Sequence, residues 1–95
     1  MQQAHLHLIK YALAQGHNVS VFDGEEWDVE HSTKYTDIKE CSECADDATL
    51  EVFNTKGESL GAAFVILSDE PEESIVDYTV TDFMNSWDSA YEATR

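Results

Sequence analysis

Cysteine and histidine are the side chains of this sequence best suited to redox or metal chemistry. Cys41 and Cys44 form a CxxC pair, which serves redox chemistry when its first thiol lies at a helix N-terminus near positive charge. Acidic residues surround this pair and disfavour the thiolate. The pair could also complete a Cys₂His₂ zinc set. The candidate histidine pairs are His5 with His7, or His17 with His31. The balance favours structural cysteines, and we predict no metal site and no cofactor.

Other catalytic patterns are missing from the sequence. It contains no Gly-rich phosphate loop, no nucleophile elbow and no metalloprotease helix motif. The acidic segments 23–26 and 69–73 do not match the spacing of an EF-hand calcium loop. Carboxylate pairs are abundant, but with 20 acidic residues in 95 any two can fall together by chance. We therefore expect a protein that is not an enzyme.

The charge balance is the most unusual property of the sequence. Twenty acidic residues stand against five basic ones, which gives a net charge of −15. Such a surface repels nucleic acids and anionic membranes but attracts basic proteins. No apolar run reaches the ~20 residues that span a bilayer, and the first residues lack the basic region of a signal peptide. We expect a cytoplasmic protein with a basic protein partner and no direct contact with nucleic acid or membrane.

Three helices and two hairpins are predicted, in one acidic domain over residues 1–95. In chain order they are a helix over Ala4–Gln15, a hairpin over Asn18–Glu30, a helix from Ser32 or Thr33 to about Ala45, a hairpin over Ala48–Leu67 and a final helix. The first helix carries a stripe of Leu6, Ile9 and Leu13, which Leu8 and Ala12 widen. It ends before Gly16, which suits a helix C′ position. Asp23-Gly24 is a strong hairpin turn signal.

The order α-β-β-α-β-β-α predicts an α+β fold, in which two hairpins form one four-stranded antiparallel sheet with helices mainly on one face. The apolar run 62–67 does not alternate, so we expect its strand to be covered on both sides. The last helix has Thr79 and Asp82 as a capping box. Its apolar stripe, which we expect in the core but which could also form a homodimer seam, is Val80, Phe83, Met84, Trp87 and Tyr91.

Several carboxylates recur at regular spacing. In a strand, Glu26, Asp28 and Glu30 would point to one face at intervals of roughly 6.6 Å, which is close to the separation of neighbouring nucleic-acid phosphates. On the second helix Asp37, Glu40 and Asp47, at i, i+3 and i+10, would lie near one line, and on the last helix Asp88 and Glu92 lie one turn apart. The sequence therefore predicts a partner-binding surface made of Glu25, Glu26, Asp28, Glu30, Asp37, Glu40, Asp47, Asp88 and Glu92.

In size, charge and compactness the whole chain resembles small acidic proteins of bacteriophages and mobile elements, among them anti-restriction and anti-CRISPR inhibitors. The segments 16–27 and 77–84 look like parts of such phage proteins. The resemblance is to a type of protein and supplies no functional residue. It implies a nucleic-acid mimic that binds and inhibits a basic nucleic-acid-binding protein, in the host cytoplasm if phage-encoded.

Two other hypotheses fit the same composition. An acidic adaptor or regulatory domain could bind one protein partner through exposed parts of Trp27, Tyr35 or the C-terminal helix, without mimicry. A halophile-type domain could use its Asp and Glu residues to keep a hydrated surface in high salt. The arrangement of the acidic residues distinguishes these hypotheses better than their number does.

Overall fold

The computed structural model describes residues 3–43, 47–66 and 74–94 of the chain. Its elements are α1 (Ala4–Ala14), β1 (Asn18–Phe22), β2 (Trp27–Ser32), α2 (Tyr35–Glu43), β3 (Asp47–Phe53), β4 (Ser59–Ile66), β5 (Ile75–Tyr78) and α3 (Asp82–Glu92). The five strands form one antiparallel sheet in the order β2-β1-β3-β4-β5. None of the helices in these ranges is long and apolar enough to span a membrane.

The α+β class is confirmed, but the prediction of a four-stranded sheet is wrong. The fifth strand is Ile75–Tyr78, which pairs with β4 at the edge of the sheet. This strand is short. Its register is irregular, because Phe64 pairs with Asp77 whereas Val65 pairs with Ile75. Its position depends on a partner strand rather than on a pattern within its own four residues.

Helix α1 ends as its sequence predicts. Gly16 adopts a positive φ of 83°, which costs glycine little. Its N–H donates to the carbonyl of Leu13 at 3.0 Å, while the N–H of His17 donates to that of Ala12 at 3.1 Å. These two bonds are the Schellman arrangement that closes a helix C-terminus. Of the predicted stripe, Leu8, Ile9 and Ala12 are buried together with Ala4 and His5, whereas Leu6 and Leu13 are only partly buried.

The starts of α2 and α3 differ from the predictions. Helix α2 begins at Tyr35. In the residues before it, Oγ of Ser32 accepts the N–H of Lys34 at 3.1 Å. Thr81, not Thr79, caps α3, and its Oγ1 accepts the N–H of Met84 at 3.1 Å. Thr79 instead accepts the N–H of Ala62 in β4. The predicted end of α2 near residue 45 lies outside the described residues.

One face of the sheet contributes nearly all of its buried side chains. Alternate residues of β1, β3 and β4 are almost inaccessible, and they share a cluster with the apolar residues of all three helices. The sheet members of this core are Val19, Val21, Ala48, Leu50, Val52, Ala63 and Val65. Met84, Trp87 and Tyr91 of α3 are also buried here, so the stripe considered for a homodimer seam packs within the chain. Val80 precedes α3 and is exposed.

We call the opposite side of the sheet the open face. It carries the strand residues that alternate with the core positions. Its aromatic and aliphatic members are Phe22, Trp27, Phe53, Phe64 and Ile66. Phe64 is 40% exposed and Ile66 is 38% exposed. The expectation that the run 62–66 is covered on both sides is therefore wrong, because small Ala62 and Ala63 conceal an ordinary alternation. Leu67, the last residue of that run, lies outside the described residues.

Gly61 of β4 lies where α3 approaches the sheet most closely. Its φ is +149°, and a Cβ built on it would be 2.4 Å from Cγ of Met84 and 3.1 Å from Oγ1 of Thr79. Contacts under 3.0 Å force something to move. Glycine is thus required here because Met84 packs against the strand backbone.

Gly61→Ala should lower the free energy of unfolding by about 1–3 kcal/mol, since it overpacks the contact with Met84. The cost should shrink when Gly61→Ala is made in a Met84→Ala background. Urea denaturation of the four proteins in this cycle measures the coupling. Gly57→Ala is the control, since Gly57 has a positive φ but nothing within 4 Å of its Cβ position. An equal cost of Gly61→Ala in both backgrounds would contradict this account.

Candidate functional site

The loop between β1 and β2 organises a concentration of carboxylates. The N–H of Asp23 donates to the carbonyl of Glu26 at 3.1 Å. Oδ1 of Asp23 accepts the N–H groups of Glu25 and Glu26, both at 2.9 Å. Gly24 takes the positive φ of 104° that this tight loop requires. The predicted turn is confirmed, and its hydrogen bonds hold Asp23 in place.

We call Asp23, Glu25, Glu26, Asp28 and Glu30 the acidic edge, since they lie on β2 and the loop before it. Carboxylate oxygens of Asp23, Glu26 and Asp28 all lie within 4.8 Å of one another. The backbone N–H groups of Glu26 and Glu25 lower the pKa of Asp23. Partial desolvation, followed by the charge of Asp23, raises the pKa of Asp28. This part of the protein therefore holds closely spaced negative charge.

Two bulges interrupt the straight row predicted for Glu26, Asp28 and Glu30. Val21 pairs with Val29, but its neighbour Phe22 pairs with Trp27, so Asp28 is an extra residue. A second register shift lies between the pairs of Val19 and Val21. Trp27 and Val29 consequently face opposite sides of the sheet although they are two residues apart. Bulges break the alternation of a strand, and the carboxylates cluster at its start instead of following its length.

His31 fills the second bulge with a positive φ of 52°, which is unusual for a residue other than glycine. Its N–H donates to Oγ of Ser20 at 2.8 Å, and its Nδ1 lies 2.9 Å from Oδ1 of Asn18. The imidazole also packs against the ring of Phe53, with 4.5 Å between the ring centroids. These contacts fix the irregular edge of the sheet.

The nine predicted site residues do not form one surface. Helix α2, which carries Asp37 and Glu40, packs against β2, the strand that carries Asp28 and Glu30. Asp47, predicted on the acidic line of the second helix, instead opens β3, opposite Ile66. Asp88 and Glu92 lie on α3 near Tyr78 of β5, and burial followed by the charges of these residues raises the pKa of that tyrosine. Strands β2 and β5 are separated by roughly 19 Å, which is four strand spacings.

Basic residues offset little of this charge. Glu43 has two basic contacts: Oε1 forms an ion pair with Nζ of Lys39 at 2.8 Å, and Oε2 lies 2.9 Å from Nε2 of His5, a contact that is ionic only when the imidazole is protonated. No basic side chain in the described ranges forms an ion pair with the acidic edge. Nζ of Lys10 lies over the ring of Tyr35, 5.1 Å from its centroid. The acidic edge thus presents its charge to solvent.

The histidines proposed as zinc ligands have other partners. His5 contacts Ser74 and Glu43, whereas Nδ1 of His7 accepts the indole N–H of Trp87 at 3.1 Å. His17 packs edge-on against the ring of Phe83. Within the described ranges, the one group of three potential ligands is the exposed cluster of Asp23, Glu26 and Asp28. Cys44 lies outside those ranges.

Sequence reasoning missed a buried serine–histidine–glutamate network. Oγ of Ser74 lies 3.0 Å from both the backbone N and Nδ1 of His5. The ionised carboxylate of Glu43 can only accept, so Nε2–H of His5 donates to it. In the neutral ring Nδ1 then accepts the hydroxyl of Ser74. His5 and Ser74 are 0% and 1% exposed, so no substrate reaches them. The network fastens α1 to α2 and to the residue before β5. In the sequence, His5 lies one turn before Leu8 and Ile9, and this spacing indicates that it shares their buried helix face.

Protonation of this network is linked to folding. Burial lowers the pKa of His5 below 6.5, and the hydrogen bond and charge of Glu43 only partly oppose it. The unfolded chain therefore binds this proton more tightly than the folded chain. The contribution of His5 to stability is fully present above pH 6.5 and is lost as the pH falls through the lowered folded-state pKa.

Glu43→Gln should move the pKa of His5 still lower, because it removes the carboxylate that favours the imidazolium. The measurement is an NMR titration of the His5 ring protons. Glu40→Gln, on the same helix, is the control and should leave the midpoint in place. A His5 midpoint that stays constant or rises in Glu43→Gln would show that the ring does not donate to Glu43.

Comparison with known proteins gives no relative to guide assignment of the site. No family model, no curated protein and no solved structure matches the chain. The function is therefore inferred from the geometry and charge of the described residues.

Proposed function

We propose that this protein is an acidic, nucleic-acid-mimicking inhibitor that occupies the basic surface of a nucleic-acid-binding protein. The observation that carries the proposal is the acidic edge: five carboxylates within eight residues, without an ion pair to a basic residue of the described ranges. A net charge of −15 adds long-range attraction to any cationic partner. Nucleic acids are recognised in large part through the same kind of closely spaced negative charge.

The position of the acidic edge supports this role. A closed loop with three internal hydrogen bonds holds Asp23 and its neighbours, so little conformational freedom would be lost when a partner binds. Helix α2, which packs against β2, adds the charges of Asp37 and Glu40 next to that strand. We assign the contact to the acidic edge. Asp88 and Glu92 lie too far away to belong to the same small contact.

Mimicry predicts binding that salt weakens and that nucleic acid opposes. The protein, immobilised on a resin at low salt, should capture basic proteins that a 12-base-pair DNA duplex or an RNA hairpin then elutes. The triple variant Glu26→Gln/Asp28→Asn/Glu30→Gln should weaken capture on the order of tenfold or more, since several charge contacts are lost together. Quantitative mass spectrometry of the eluates measures both effects.

The matched control removes three charges elsewhere, in Glu58→Gln/Asp88→Asn/Glu92→Gln. This variant keeps the acidic edge and should retain most of the capture. An equal loss in both triple variants would show that total charge, and not this edge, determines binding. Captured proteins that neither nucleic acid elutes would contradict mimicry.

A further inference from the structure

The open face continues from the acidic edge across the whole sheet. One row runs perpendicular to the strands, and each member is the register partner of the next: Trp27, Phe22, Thr49, Phe64 and Asp77. The rings of Trp27 and Phe22 are in contact, with centroids 5.1 Å apart. Trp27 is 42% exposed and Phe64 is 40% exposed. Aromatic surface of this kind is enriched where proteins bind other proteins.

A hollow of about 190 Å³ opens beside Phe64. Ala62 and Asp77 are among the residues that line it. The hollow is open to solvent and lined in part by Thr49, Ala62 and Phe64, so an apolar side chain can pack against it. In the next row Glu51 lies between Ser20 and Ala62, and its Oε2 accepts the hydroxyl of Ser59 at 2.8 Å. The apolar surface is thus bordered by carboxylates at Glu51, at Asp77 and along the acidic edge.

This combination restricts what can cover the open face. A second copy would place Glu51 and Asp77 of two chains, each with a charge of −15, against one another. Like charges brought together in an interface cost binding energy. A purely cationic segment would leave Phe64 and Trp27 exposed to water. A segment with an apolar stripe flanked by Lys or Arg satisfies both features.

We propose that the open face binds a cationic amphipathic helix of the partner protein, with an apolar side chain in the hollow beside Phe64 and basic side chains at Asp77, Glu51 and the acidic edge. The three helices of the described ranges all pack on the other face, so the bound helix would add a layer that none of them supplies on this side. This proposal rests on the proposed function and adds the apolar half of the contact. It predicts affinity that remains when salt screens the charges.

The test uses synthetic 14-residue peptides and the full-length protein. The first peptide contains Leu and Lys with Leu at i, i+3, i+4 and i+7 spacing. The second has the same composition in a scrambled order without an apolar stripe, and the third has Glu in place of Lys. Fluorescence anisotropy at 0.05 and 0.5 M NaCl measures affinity. We expect the first peptide to bind at least tenfold more tightly than the second, and the third not to bind.

Site variants locate the contact. Phe64→Ser should weaken binding of the first peptide several-fold at both salt concentrations, whereas Val80→Ser, at an exposed apolar residue outside the row, should not. The triple variant of the acidic edge should instead reduce the salt dependence. Amide NMR shifts of the bound protein should fall on β3 and β4 rather than on the helices.

Three results would overturn the helix proposal: equal binding of the ordered and scrambled peptides, peptide-induced shifts confined to the helices, or a dimer in sedimentation that Phe64→Ser abolishes. In the first case, salt-sensitive capture that duplex DNA reverses would still leave the mimicry proposal standing. Conversely, ordered-peptide binding without any capture that nucleic acid reverses would retain the open-face site and reject mimicry.

Discussion

The three described helices bury their apolar side chains against the same face of the sheet. This one-sided packing determines which strand residues lie in the core and which lie on the open face. Strand side chains alternate between faces with a period of two. Each core residue in β1, β3 and β4 therefore places its neighbour on the open face. Val65 is buried under the helices, and so Phe64 and Ile66 are exposed. The aromatic row therefore follows from the packing of the core.

Features set by local chemistry could be predicted from the sequence. Gly16 ends α1, and Asp23-Gly24 turns the first hairpin, because both depend on residues adjacent in the chain. The helical spacing of Met84, Trp87 and Tyr91 identified the buried stripe of α3. In each case the side chain or the backbone conformation of a few consecutive residues is sufficient to specify the structure.

Features that depend on distant partners were not predicted. Strand β5 has four residues and forms only because β4 offers an unpaired edge. The bulges in β2 arise because Val29 pairs with Val21 while Trp27 pairs with Phe22, and no pattern in β2 itself requires both. The candidate site changed for the same reason. The predicted row of carboxylates assumed a regular strand, whereas the bulges gather Asp28 with Asp23 and Glu26.

Charges and apolar contacts act over different distances on this surface. The field of the acidic edge extends about 8 Å at physiological ionic strength, whereas aromatic packing acts only at contact. Trp27 belongs to both regions, since it lies between Glu26 and Asp28 in sequence and begins the row that leads to Phe64. On the proposed function, a basic partner would be oriented first by the charges and then held by the rings beside them. The bulge at Asp28 makes this arrangement possible, because it turns Trp27 onto the open face while leaving the carboxylates at the edge.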